Sequence, residues 1–339
     1  MTAAVMFAGV DIGGTGVKVG VVTSEGVVVA REQENYHPDR HEPQDVVDLA
    51  VSVLQKVLRT THLGLGDLEA VGVCCPGVLE AGGVIHAAAN FPSWLDVPLQ
   101  QLFTDTLGRP VTVCNDADAA VLAEQWVGTA KGGVKDFIML SMARLHALID
   151  DGALGTGVGF GVVANGKLVR GGSNAIEGGH MIVERNGRPC GCSQRGCLEA
   201  YSSAGALMAQ VQEHLRAGSY FHGRDSSLAN YSEADINVEF VFKHAAEGDE
   251  LCKHLIEEAA DYLGFACVTF CRMLDPEIIV LSGGIAEAGE TYIEQIRRAY
   301  AKHTWTKFPN PVRIEKASAG YDSGIIGAAA VCKNQRKGR

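Results

Sequence analysis

The densest group of chemically capable residues is one histidine and three cysteines within eighteen positions: His180, Cys190, Cys192 and Cys197. Imidazole nitrogen and thiolate sulfur are the donors of tetrahedral Zn²⁺ sites, and four protein ligands make such a site structural. Pro189, Gly191 and Gly196 suit a tight knuckle between them. Acids flank the group, Glu177 in Glu177-Gly178-Gly179-His180 and Glu199 after Cys197-Leu198. They read either as surface carboxylates or as groups that a metal-stiffened loop holds toward a polyhydroxylated ligand.

Three glycine turns offer a second chemistry. Asp11-Ile12-Gly13-Gly14-Thr15-Gly16-Val17-Lys18 joins two apolar runs. It is neither a P-loop nor a dinucleotide fingerprint, since Gly-x4-Gly-Lys-Ser/Thr is absent and a strand follows where a helix should start. Bare backbone N–H groups there suit a phosphate, Thr15 adds a hydroxyl, and Asp11 suits Mg²⁺. An ordinary glycine hairpin with a capping acid is the competing reading. Leu154 to Gly161 repeats the pattern with Gly155, Thr156 and Gly157, and a plain glycine-rich strand competes there too. Gly283-Gly284 ends a third apolar run before a helix, as a βα turn also would. Asn115-Asp116 sits between a strand and a helix, where it serves either as an N-cap or as a carboxylate poised to act as general base. Asn90 to Trp94 adds an amide and an aromatic in a turn-rich stretch.

Strands and helices alternate so as to position these residues. Met6–Val10, Lys18–Val22, Gly26–Ala30, Val71–Cys75, Val111–Cys114, Phe137–Leu140, Gly159–Ala164 and Ile278–Leu281 read as strands. Apolar spacing predicts helices over 45–60, 99–107, 117–126, 204–217, 250–274 and 290–303. The glycines fall at strand ends, where ligand sites of α/β proteins lie. At 339 residues the chain is long enough for two domains, and 47% hydrophobic residues supply their cores.

A net charge of −11 is a poor match for nucleic acid or an anionic membrane. No apolar run is long enough to span a bilayer, and Met1–Val10 has no basic leader, so a reduced cytoplasmic setting is expected. The other cysteines, Cys74, Cys75, Cys114, Cys252, Cys267, Cys271 and Cys332, read as core thiols.

The ordered set resembles the ROK family of sugar kinases, especially its glucokinases. It comprises the Asp11–Thr15 turn, Pro76-Gly77, Asn90–Trp94, Asn115-Asp116-Ala117, Leu154–Gly161, Glu177–His180, the Cys190–Glu199 run, Gly283-Gly284 and Gly324–Ala328. The resemblance implies an α/β, actin-like (ribonuclease-H-like) two-domain ATPase fold with a cleft, and homodimers. The division it suggests is 1–115 with the C-terminal helix 323–339, and 116–322 with the zinc loop 180–197. It implies that Asp116 accepts the proton of a hexose 6-hydroxyl, and that Asn90, Asn115, Asp116, Glu177, His180 and Glu199 hold the sugar, glucose first. It implies structural Zn²⁺ on His180, Cys190, Cys192 and Cys197. It implies ATP with Mg²⁺ on Asp11, Gly13, Gly14, Thr15, Lys18, Gly155, Thr156 and Gly157, with Gly283 and Gly284 on the adenosine side. Chemistry of this kind rests on positioning and charge neutralisation. Transcriptional repressors of the family carry an N-terminal winged helix, for which Asp11 arrives too early.

The sequence departs from the family pattern at one place. Met142–Ala153 intervenes between the strand 137–141 and the Leu-Gly-Thr-Gly turn. Three readings compete: the segment bulges from the hairpin at little entropic cost and leaves Thr156 in place, it displaces the turn and leaves an impaired, sugar-binding pseudokinase, or it is not part of the mature protein. A kinase for N-acetylglucosamine, N-acetylmannosamine or mannose is the other alternative.

Overall fold

The computed structural model describes residues 5–36, 42–80, 82–88, 91–142, 157–171, 176–218, 220–221, 224–307 and 312–337. Asn90, Gly155, Thr156 and, apart from Met142, the intervening segment 142–153 lie outside them. The chain divides into two compact units, 1–134 with 166–176 and 318–339, and 135–165 with 177–317.

In the first unit, β1 (Met6–Ile12) and β2 (Gly16–Thr23) form a hairpin, and β3 (Val28–Asn35) extends it. Helix α1 (Pro43–Thr61) leads to β4 (Leu68–Cys75). A small antiparallel sheet follows, of β5 (Val78–Glu80), β6 (Val84–Ala88) and β7 (Phe91–Val97). Helix α2 (Leu99–Leu107), strand β8 (Val111–Asn115) and helix α3 (Asp116–Trp126) complete this stretch. The main sheet has the order β3-β2-β1-β4-β8, with β1, β4 and β8 parallel. Helix α1 forms because its apolar residues recur at helical spacing. Val46, Val47, Ala50, Val53, Leu54, Val57 and Leu58 are buried, and Pro43 stands in the first turn, where its missing N–H costs nothing.

The last helix, α10 (Ser323–Lys337), belongs to this unit. It approaches the sheet so closely that a Cβ on Gly9 would lie 1.9 Å from the Ile325 carbonyl oxygen, and one on Gly72 1.9 Å from that of Ala328. The backbones meet because no side chain separates them. Helix α3 packs on α10 in the same way, with Gly327 against the Ala119 carbonyl. The unit boundary therefore falls at 134/135, not at 115/116, because the apolar face of α3 (Ala119, Leu122) is buried with Ala328, Ala330 and Val331 of α10.

In the second unit, β9 (Phe137–Met142) pairs antiparallel with β10 (Val158–Ala164), while the short β11 (Lys167–Leu168) falls in the first. Helices α4 (Glu199–Ser202) and α5 (Ala204–Arg216), the small hairpin β12 (Tyr220–Phe221) and β13 (Arg224–Asp225), α6 (Val238–Ala246) and α7 (Glu250–Leu274) follow. Then come β14 (Ile278–Gly283), α8 (Gly284–Glu287), α9 (Glu290–His303) and β15 (Arg313–Lys316). Strand β14 lies parallel between β9 and β15. Helix α7 begins where the Asp249 carboxylate accepts the Cys252 N–H (2.9 Å) and ends at Asp275 in the left-handed conformation.

Three expectations shift. The strand read over 26–30 is β3, displaced to 28–35, because Gly26 (φ 85°) sits in the turn and the polar run Arg31–Asn35 forms a solvated edge. The turn-rich Asn90–Trp94 stretch leads into β7, where Trp94 is fully buried and stacked on Phe91 at 4.2 Å. Its indole is core, not a platform for a sugar. Helix α6 has no counterpart among the expected helices. The seven cysteines outside the cluster are all buried. Among the described residues no helix is long and apolar enough to cross a membrane.

Candidate active site

Within the first unit, three parallel strands end at one level. Asp11 is in register with Cys74, and Cys75 with Asn115. Strand pairing thus brings Asp11, Asn115 and Asp116 to the carboxyl edge of the sheet, where the backbone leaves the ladder and polar groups reach solvent. Asn115 is the N-cap of α3. Its Oδ1 accepts the Ala117 N–H (2.8 Å), while its Nδ2 donates to the Gly77 carbonyl (2.9 Å). These two bonds use one donor and one acceptor of the amide and shape the turn that presents Asp116 at the start of α3.

Asp116 is exposed, and its Oδ1 accepts the Ala117 N–H (2.9 Å). Desolvation pushes its carboxyl up to about 6, against the Ala117 N–H that holds it down, with Asp11 and Asp118 adding like charge. A carboxylate near that value is mostly ionised at neutral pH and still basic enough to take a proton.

Asp11 lies 3.5 Å from the Cys74 thiol and 4.0 Å from the Lys18 ammonium. Lys18 also sits over the Tyr321 ring, 4.2 Å from its centroid. A Cβ on Gly324 would fall 2.3 Å from Asp11 Oδ2, so the start of α10 is bare where it meets this acid. The Gly13 N–H closes the turn on the Gly16 carbonyl (2.8 Å), and Tyr36 donates its hydroxyl to the Gly13 carbonyl. Gly13 therefore shapes the turn, and Gly14 and Thr15 form its tip.

Within the second unit, the ligand atoms of His180, Cys190, Cys192 and Cys197 all lie within 4.8 Å of one another. The backbone explains the convergence. The Cys190 N–H donates to Gln194 (2.9 Å) and the Gly196 N–H to Arg188 (2.8 Å), which folds 188–196 into a knuckle. Gly196 (φ 81°) is required, since a Cβ there would lie 1.8 Å from the Glu184 carbonyl. The Cys192 thiol is drawn down to about 7, chiefly by the Gln194 backbone N–H. One imidazole and three sulfurs at this spacing fit a tetrahedral thiophilic metal.

Glu199 opens α4 and is bound on both oxygens, to the Val158 N–H (3.0 Å) and toward the Cys190 thiol (3.7 Å). It ties the first residue of β10 to the knuckle. Glu177 precedes the single turn Gly178–His180 and is exposed. A Cβ on Gly178 would strike Phe160, and one on Gly179 the Val158 carbonyl, so this turn lies flat on β10. Gly157, the described member of the second glycine turn, sits 3.4 Å from Glu199 by its would-be Cβ.

Gly283 ends β14 at φ 62°, opposite Met142. Beside it lies a mainly apolar cavity of about 300 Å³, lined by Met142, Leu207, Phe242, Gly284, Glu287 and Tyr292 among others. The sequence pointed to this place only through Gly283 and Gly284. The lining comes from β9 and from α4, α5, α6, α7, α8 and α9, whose apolar residues read like any core face and form no motif.

Two parallel-strand edges with glycine turns, one in each unit, define the class. A model of the ROK family matches residues 7–335, and the chain belongs to that family. It is 31% identical over 335 residues to a glucokinase of Halalkalibacterium halodurans, covering 97% of this chain and 95% of the relative. It is also 31% identical over 324 residues to an N-acetylmannosamine kinase of Vibrio cholerae, covering 94% and 96%. A ROK family glucokinase from Streptomyces griseus, crystallised with glucose and AMPPNP, superposes with a TM-score of 0.75 at 26% identity over 97% of this chain and 99% of that one. The fold is the actin-like α/β ATPase fold of these kinases.

Proposed function

We propose that this chain transfers the γ-phosphoryl group of ATP to the 6-hydroxyl of a hexose, with glucose the preferred acceptor. The observation that carries the proposal is Asp116, a carboxylate that follows strand β8 at the same sheet edge as Asp11 and the glycine turn after it. The Streptomyces griseus relative, which holds glucose and a nonhydrolysable ATP analogue, supports both substrates. In the step, the sugar O6 attacks the γ-phosphorus, the bond to the β–γ bridging oxygen breaks, and Asp116 takes the O6 proton as ADP leaves. Asn90, Asn115, Glu177, His180 and Glu199 would orient the sugar. Gly13, Gly14, Thr15, Lys18, Gly155, Thr156 and Gly157 would receive the phosphates. The cavity beside Gly283 and Gly284 suits an adenine ring.

Asp11 would hold Mg²⁺, which neutralises phosphate charge when bound. The His180, Cys190, Cys192 and Cys197 donors would hold a structural Zn²⁺ that stiffens the loop between Glu177 and Glu199. The reading is a cytoplasmic homodimer that feeds glucose into glycolysis and takes no nucleic acid or membrane as partner. ADP release is the test, with glucose, mannose, N-acetylglucosamine and N-acetylmannosamine, on the full chain and on a chain lacking 142–153. Turnover is expected from the full chain and fastest with glucose. No turnover from either form would sink the kinase reading, and activity confined to the shorter form would place the fault in the intervening segment.

A further inference from the structure

Glu124 is 2% exposed, a carboxylate deep inside the first unit with no part in the site described above. Three backbone N–H groups converge on it. Its Oε2 accepts the Thr129 N–H at 2.7 Å, its Oε1 accepts the Ala319 N–H at 2.7 Å, and the Ser318 N–H reaches both oxygens at 3.0 and 3.2 Å. These donors are not random backbone. The chain leaves the first unit at 134/135 and returns to it at 317/318. One carboxylate thus holds both the segment before the exit and the segment after the return. The Thr129 hydroxyl donates to the Ser318 hydroxyl (3.0 Å), joining the two segments directly. The neighbouring Gln125 donates to the Gly166 carbonyl (2.9 Å), at another of the passages.

Both side chains project from α3, the helix whose first residue is Asp116. Eight residues separate Asp116 from Glu124, about 12 Å along the axis. The base and the chain passages are therefore fixed to one short rigid rod.

We propose that Glu124 is a positioning residue that clamps the passages at 129 and 318–319 to the helix bearing Asp116, and that turnover depends on this clamp although Glu124 touches no substrate. The inference rests on the kinase reading for its turnover arm only. The chemistry asks for a carboxylate. A glutamine keeps the shape but turns one of two acceptor oxygens into a donor facing N–H donors, which leaves buried amides unpaired. The neighbouring backbone supports the role. Gly128 carries no side chain, and a Cβ there would lie 2.1 Å from Glu124 Oε2.

The test uses the full chain with Glu124→Gln and, as a second approach to the same clamp, Gly128→Ala, which leaves the carboxylate present but pushes it aside. Both are assayed for turnover, for glucose binding by calorimetry, and for hydrogen exchange of peptides covering 127–135 and 313–320. The clamp predicts that exchange rises at both segments together and that kcat falls about 10- to 100-fold, while the glucose dissociation constant stays within about twofold. A residue that only adds stability would lower Tm and leave the kcat of the folded fraction unchanged. Wild-type exchange at either segment, or a kcat within about twofold of wild type in a folded variant, overturns the proposal. If the unaltered chain shows no turnover at all, the kinase reading fails on its own, and the exchange result alone decides the clamp.

Discussion

Titration of Asp116 offers the sharpest test of the proposed mechanism. An ordinary aspartate ionises near 3.8, whereas this one is raised to about 6 by desolvation and by its acidic neighbours. Only the ionised form takes a proton. With a value of 6, the ionised fraction is about nine-tenths at pH 7 and about one-tenth at pH 5, so kcat/KM should fall about tenfold over that interval. A value of 3.8 would leave the rate almost flat down to pH 5. The assay is the initial rate of ADP release at subsaturating glucose and saturating MgATP, at constant ionic strength, with Tm recorded at each pH. Asp116→Asn should bind glucose and lose turnover. Asp118→Asn removes one of the charges that raise Asp116 and should move the acid limb to lower pH. Stability runs the other way. Folding raises this pKa, so the contribution of Asp116 to stability is fullest below the unfolded value and is lost as pH rises through 6. Asp116→Asn should therefore match or exceed the wild-type Tm at pH 8. A rate that changes less than twofold between pH 7 and 5 would refute the assignment. So would an acid limb that survives in the residual activity of Asp116→Asn, because the titrating group would then lie elsewhere.

Other expectations are simpler to check. Metal analysis of freshly purified protein should find one zinc per chain, and Cys197→Ser should abolish it. A zinc-free wild type that keeps its fold under chelation would contradict the site. Gly72→Ala places a methyl 1.9 Å from the Ala328 carbonyl oxygen, and it should cost at least about 2 kcal/mol, seen as a Tm lowered by about 4 °C or more. Trp94→Ala should cost about 3–5 kcal/mol as a core deletion. Its effect belongs in Tm before it appears in the KM for sugar, and the reverse order would contradict its assignment to the core.

The legible parts of this molecule are those in which local chemistry and position coincide. Asn115-Asp116 is both a helix cap and a strand end, so one local rule located it. The His180–Cys197 group is close in sequence, and a knuckle suffices to gather it. Helices α1, α7 and α9 carry long apolar periods. The missed parts depend on partners distant in sequence. Trp94 looks like a loop aromatic until Phe91 and the first-unit core enclose it. Helix α6 is short and rich in aromatic residues, so its period is ambiguous. Glu124 sits in a helix as any glutamate does, and its meaning comes from amides at 129, 318 and 319. The cavity beside Gly284 is assembled from core-like residues, whose spacing gives no sign that a space lies between them.

The first unit is interrupted in sequence, and that fixes an order on its synthesis. Strands β1 and β4 are complete by Cys75, but the helix that covers Gly9 and Gly72 begins only at Ser323. At about 5–20 residues per second, the ribosome needs roughly 12–50 s to make the intervening 247 residues. During that time the sheet has its hairpin and α1 on hand, while the face meant for α10 stays without its cover. Every residue of the second unit is made before that helix. The nascent first unit must therefore hold a bare patch of sheet in waiting, and a ribosome stalled before residue 323 would leave a chain whose second unit is complete and whose first is open.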